Sequence, residues 1–274
     1  MLKLKPKLNV EELSMRQWLI IFLTLSGFHS TIIADVLDSI LANKTLKVCI
    51  WPEYYGISYV DPRTQELKGI DVDLARELGK DLGVKVVFVE SSFATLIPDI
   101  EAKRCDIAMF AIGRTPKRLE KLSLTTPHLS SDIYAIATKS NRRIQQWDDI
   151  DKPDVIVAVA KGTYHVDVMK QKLQHAKLLI VDSLHAREQE VESGRADVFM
   201  TDYPFGMLVI QQKEWAKLIK PSKPFHMTPY GWAMAQGEKR FLAKVESFIA
   251  TIKHDGRLKK AALTHHLEPI IMAD

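Results

Sequence analysis

From Leu46 onward, short runs of apolar and β-branched residues alternate with longer stretches whose apolar positions recur every three or four residues. The first pattern predicts strands, and the second predicts amphipathic helices. The strand candidates are LKVCIW from Leu46, VKVVFVE from Val84, CDIAMFAI from Cys105, VIVAVA from Val155, KLLIV from Lys177 and ADVFMT from Ala196. Among the helix candidates is VDLARELGKDLG, where Leu74, Leu78 and Leu82 share one face and Gly83 supplies the stop. Such alternation predicts an α/β fold with mainly parallel strands. Polar, charged stretches interrupt it twice, TKSNRR at 138–143 and PSKPFHMTP at 221–229. If the chain crosses between two sheets at both, in strand-like connections, one lobe comprises residues 35–137 with 230–274 and the other 138–229. A cleft between lobes, at the carboxyl ends of parallel strands, is where α/β proteins bind small molecules.

Residues 1–34 follow a different pattern. Trp18 to Leu25 is an apolar run preceded by Arg16 and followed by small and apolar residues as far as Ala34. This reads as a secretory signal peptide, with Met15 as an alternative start and an uncleaved membrane anchor as the alternative role. Cleavage after Ala34 makes the protein periplasmic, and no Cys follows the run to carry a lipid. The removed segment holds four cations (Lys3, Lys5, Lys7, Arg16) and two acids (Glu11, Glu12), so the formal charge falls from +4 to +2. The cations are scattered and no Lys/Arg run is interleaved with aromatics, which argues against a nucleic-acid partner.

Cys49 and Cys105 are the only cysteines, too few for a disulfide scaffold. Cys49 falls near the middle of one strand candidate and Cys105 at the start of another. The expectation is two buried free thiols, with a disulfide as the alternative if their Cα atoms come within about 7 Å. No metal site and no cofactor are expected.

In GRTPKRLEKLSL, Thr115 reads as a helix cap, Pro116 as the first turn, and Leu119, Leu122 and Leu124 as an apolar stripe. Arg118 then occupies the third helical position, where a capping box places Glu or Gln and the helix dipole disfavours a cation. That position suits an arginine waiting for an anion. A second anion-friendly turn is VAVAKGTYHVDVM, where Gly162 permits a tight turn and Thr163 caps the next helix. Asp202 closes the strand ADVFMTD and projects at its carboxyl end.

Taken in order, LKVCIW, KGIDVDLARELGKDLGVKVVFV, FATLIPDIEAKRCDIAM, RTPKRLEKLSLTTPHL, VAVAKGTY, VESGRADVFMTD and YGWAMAQGEKRFLAKVESFIATIKHDGRLKKAA resemble extracellular solute-binding proteins of the polar amino-acid type. The resemblance runs from Leu46 to about Leu267. It implies a two-lobed, type II periplasmic-binding-protein fold and the role of a monomeric receptor that hands a small zwitterion to an ABC-importer permease. It also implies that Arg118 holds the ligand α-carboxylate and Asp202 its ammonium, with Thr163 and Tyr164 as further contacts. The positions that set specificity correspond to Trp51, Tyr54, Phe93, Phe110, Ala111 and Gly113, with Glu53 the only nearby acid. That lining predicts an aromatic or apolar ligand side chain rather than a cationic one.

Parts of the chain resemble cyclohexadienyl dehydratase, an enzyme on the same fold. That family carries a glutamate three residues after the Asp of the TD pair, whereas this sequence has Phe205. Dehydration needs a general acid, so the enzyme reading requires Glu53 or His165 to substitute. A ligand-sensing module is a further alternative, although no signalling domain is attached. No GxSxG, HExxH or P-loop occurs. The pair His265 and His266 reads as solvated, since adjacent side chains on a helix diverge.

Overall fold

The computed structural model describes residues 35–272. The segment expected to be a signal peptide, residues 1–34, lies outside the described residues. Among the described residues no helix is long and apolar enough to cross a membrane.

The strands are β1 (Thr45–Ile50), β2 (Glu53–Tyr54), β3 (Ser58–Val60), β4 (Leu67–Lys68), β5 (Lys85–Glu90), β6 (Ile107–Gly113) and β7 (Leu122–Leu124). They continue as β8 (Leu129–Ser131), β9 (Ile133–Thr138), β10 (Ile156–Ala160), β11 (Lys177–Val181), β12 (Val198–Asp202), β13 (Ala216–Ile219) and β14 (Thr228–Ala235). The helices are α1 (Val36–Asn43), α2 (Ile70–Leu82), α3 (Leu96–Glu101), α4 (Pro116–Leu119) and α5 (Tyr164–Lys172). They continue as α6 (Leu184–Glu192), α7 (Tyr203–Gln212), α8 (Lys239–His254) and α9 (Arg257–Thr264).

Two main sheets share one plan. The first runs β5-β1-β6-β14-β7, with β8 paired to β14; the second runs β11-β10-β12-β9-β13. In each, three parallel strands are followed by one antiparallel strand, β14 or β9. Both antiparallel strands arrive from the other sheet. β8 continues through Asp132 into β9, and the segment after β13 leads back to β14. The sheets therefore exchange strands at 131–133 and 219–228, whereas the lobe boundaries expected were 137/138 and 229/230. TKSNRR forms a turn at the end of β9 instead of a crossing, and residues 220–227 are irregular. Asp132 ties the two crossings together: its carboxylate accepts the backbone N–H groups of Phe225 (2.8 Å) and His226 (2.7 Å).

All six strand candidates form strands, and α2 ends as expected, with Gly83 in the left-handed region at φ 66°. Two expectations are corrected. Cys49 and Cys105 form a disulfide with Cα atoms 5.5 Å apart, not two free thiols. β1 and β6 are adjacent, with Cys49 opposite Ala108, and Cys105 sits just before β6 within reach. The helix at Thr115 is a single turn, Pro116–Leu119, and Leu122 and Leu124 belong to β7, so the apolar stripe is not a helix face. Pairing of β7 with β14 outweighs helix continuation.

Candidate functional site

Arg118 begins the site. Thr115 caps α4 by accepting the Arg118 N–H, which places Arg118 at the third position with its side chain directed back over the helix start. The guanidinium is only 6% exposed and lies over the Phe93 ring at 4.9 Å. It donates to the Gly113 carbonyl at the end of β6 (3.0 Å) and to the Gly162 carbonyl at the end of β10 (3.2 Å). One arginine thus bonds to both lobes, yet it forms no ion pair with a carboxylate among the described residues. Burial lowers its pKa from 12.5 to about 10.

Asp202 stands on the other side. It ends β12 and caps α7 by accepting the Phe205 N–H, and it is 1% exposed. Its Oδ2 accepts the hydroxyls of Tyr54 and Tyr230, the latter at 2.9 Å. Tyr230 spends its proton on Asp202, so the Tyr164 hydroxyl, 3.1 Å away, donates to Tyr230. Burial raises the Asp202 pKa, against the hydrogen bonds that lower it, and pushes Tyr54, Tyr164 and Tyr230 above the usual phenol value. Tyr54 and Tyr230 come from the first lobe; Tyr164 and Asp202 come from the second.

Two cavities that share Phe93, Thr163 and Tyr164 as lining lie at these groups. The outer one, about 220 Å³, is lined by Arg118, Phe93, Gly162, Thr163 and Tyr164 among others, with exposed Lys117 and Asp167 at its mouth. The inner one, about 10 Å³, is lined by Tyr54, Phe93, Tyr164, Asp202 and Phe205, and also by His165, Arg187 and Thr201. Gly162, at φ 78°, brings the second lobe against the Phe93–Ala94 backbone, and a Cβ there would meet backbone atoms at 2.4–2.6 Å.

The structure sorts the sequence candidates. Arg118, Asp202, Tyr54, Phe93, Thr163 and Tyr164 line the cavities. Thr163 occupies the cap position of α5, but its hydroxyl donates to the Ala160 carbonyl (2.7 Å) and does not cap the helix. Gly113 leaves room for Arg118 and Tyr164, each 3.4 Å from where its Cβ would be. Trp51 and Phe110 stand behind Phe93, with ring centroids 5.1 and 5.0 Å away, and line neither cavity. Ala111 also stays behind the wall. Buried Asp71 accepts its N–H (2.7 Å), holding it at φ 49°, and also accepts the indole N–H of Trp232.

Glu53 is exposed on β2 and lines neither cavity; the buried acid at the cavities is Asp202. His265 lies past the end of α9 and pairs with Asp73 at 2.8 Å, so it is not a solvated helix residue. Tyr230, Arg187 and Thr201 were absent from the sequence reading. His165 is buried, and desolvation together with Arg187 and Arg118 holds it neutral, with its pKa well below 6.5. A histidine in that state is a poor proton donor near neutrality.

Residues 46–267 match the bacterial extracellular solute-binding proteins, family 3, and the chain belongs to that family. It is 26% identical to a probable amino-acid ABC transporter-binding protein of Haemophilus influenzae, over 84% of this chain and 87% of the relative. It is 28% identical to the cyclohexadienyl dehydratase of Pseudomonas aeruginosa, over 85% and 86%. Among solved structures, an ancestral amino acid-binding protein described as a precursor of cyclohexadienyl dehydratase is 31% identical, with a TM-score of 0.77 over 84% of this chain and 98% of that one. A second structure of that ancestor, described as a cationic amino acid solute-binding protein, is 32% identical with a TM-score of 0.66, over the same shares.

Proposed function

We propose that this protein is the exported receptor of an ABC importer, closing its lobes on an amino acid and presenting it to an inner-membrane permease. The observation that carries this is Arg118, a buried guanidinium with no carboxylate partner, positioned at a one-turn helix start and bonded to both lobes. A ligand carboxylate supplies the missing anion in planar, bidentate form. Asp202, opposite, takes the ammonium, and Tyr54, Tyr164 and Tyr230 order its carboxylate. Closure is favoured because the ligand contacts both lobes only when they meet. Removal of residues 1–34 on export places the protein in the periplasm, where the Cys49–Cys105 disulfide is stable. Mass spectrometry of ligand extracted from the purified protein tests the proposal directly, and recovery of no amino acid from any preparation counts against it.

Asp202 gives the receptor a pH signature. Its pKa is raised by burial, and an ammonium beside the carboxylate lowers it again. Binding therefore expels a proton wherever Asp202 is partly protonated, and affinity falls as pH drops through the raised pKa. Titrations in buffers of different ionisation enthalpy should show proton release that grows toward acid pH. Proton uptake there would remove Asp202 from contact with the ammonium.

The dehydratase relative makes an enzyme reading worth a direct test. Phe205 stands where the resemblance places the general acid; it is 1% exposed and stacked on Tyr55 at 5.0 Å. Neither substitute serves, since Glu53 is exposed and His165 is neutral. Prephenate and arogenate are expected to be returned unchanged, followed by the ultraviolet absorbance of the aromatic product. Turnover at about 1 per second or faster would make the protein an enzyme.

A further inference from the structure

Arg187 on α6 is 1% exposed, and its guanidinium lies over the rings of Phe199 and Phe205, 4.6 Å from each centroid, where those rings meet edge to face. One amino group donates to the Met200 carbonyl at 2.6 Å. Nε and Nη2, the two donors along one edge of the fork, are buried without a partner, and so is the hydroxyl of Thr201. All three belong to residues lining the inner cavity beside Asp202. Glu188, next on the helix, is buried and its charge acts on Arg187, but it does not line that cavity and makes no hydrogen bond to the free edge. A buried guanidinium edge left unpaired is costly, and contact with two aromatic rings holds the group in place.

Counting charges around the two cavities sharpens the point. Lys117 and Asp167 at the mouth cancel, Arg118 and Asp202 match the two ends of a zwitterion, and Arg187 adds a cavity-lining cation that Glu188 opposes from outside the cavity. A neutral amino acid leaves the Nε/Nη2 edge without a charged acceptor, and a cationic one places a like charge beside it. A ligand with one additional carboxylate supplies the acceptor that this edge lacks.

We infer that Arg187 is a side-chain subsite, and that the ligand is an acidic amino acid whose side-chain carboxylate occupies the free Nε/Nη2 edge with Thr201 as an additional donor. This rests on the receptor reading above and replaces the apolar or aromatic side chain expected from sequence. Phe199 and Phe205 then serve to hold the guanidinium rather than to clasp an apolar ligand. The inner cavity, at about 10 Å³, admits such a group only after the lobes part and close again around it.

Calorimetry of the mature chain against the twenty common L-amino acids at neutral pH tests this. Glutamate or aspartate should rank first, binding roughly 30-fold or more tighter than its own amide, the change expected for a desolvated charge pair. Arg187→Met should erase that preference. If that variant does not fold, Arg187→Gln and the ranking by the unmodified protein still decide. An apolar or cationic amino acid ranking first, or an amide bound as tightly as its acid, overturns the assignment and leaves the receptor reading standing. No binding by any of the twenty takes down both.

Discussion

Replacing Arg118 with alanine is expected to weaken ligand binding by about 2 to 5 kcal/mol, which is roughly 30-fold to several thousand-fold. The guanidinium is buried between both lobes and has only carbonyl partners, so a ligand carboxylate is the strongest acceptor the site receives. Its removal costs the liganded form far more than the free form, which loses an uncompensated charge along with two hydrogen bonds. The melting temperature without ligand should therefore change little, while the rise produced by ligand should largely vanish. Asp202→Asn should have an effect of similar size on binding, and it retains an oxygen to cap α7, which Asp202→Ala would lose at about 1 kcal/mol. Calorimetry decides between the residues individually. Native-like affinity in either variant would take that residue out of the site.

Loss of the Cys49–Cys105 bridge is expected to cost roughly 4 kcal/mol of stability, the chain-entropy value for a loop of this length. The cysteines are 56 residues apart in sequence, and the bridge joins β1 to the entry of β6 in the core of the first lobe. Neither lines a cavity, so the double variant Cys49→Ala/Cys105→Ala should bind as tightly as the parent protein once folded. Urea unfolding with and without reductant measures the difference. Coincident midpoints, with reduction of the bridge confirmed by thiol titration, would show that the bridge contributes nothing.

Much of this architecture is legible along the chain because it rests on local pattern. Six apolar runs become strands, four of them largely buried and two, β5 and β11, at sheet edges, since a short run of β-branched residues with a stop suffices. Thr115 and Pro116 announce the turn that carries Arg118 because capping is a matter of a few adjacent residues. Features set by distant partners were hidden. The disulfide depends on β1 lying beside β6, and the end of α4 depends on β14 drawing Leu122–Leu124 into a sheet. Trp51 and Phe110 read as lining, but only the packing around Phe93 places them one layer behind it.

Arg187 shows what a finer reading would have found. The buried face of α6 is Leu184, Arg187, Glu188 and Val191, spaced as one side of a helix. Two charged residues occupy positions that Leu184 and Val191 mark as interior. A charged segment such as LHAREQEVE looks solvated when its residues are only counted, and the exception emerges when they are placed by face. Tyr230 was hidden for another reason, because its strand is continuous with the first-lobe core and only closure brings it to Asp202.

The turn at Gly162 gives the receptor a mechanical stop. Backbone meets backbone where it faces Phe93 and Ala94, and no flexible side chain lies between to be compressed. Closure therefore ends at one fixed separation, and the span from Arg118 to the far wall of the cleft is a set length. The lobes act as a caliper: a ligand too long holds the jaws open, and one too short leaves a buried charge untouched. Selection by size is thus written into a position whose contribution is the methyl group it lacks.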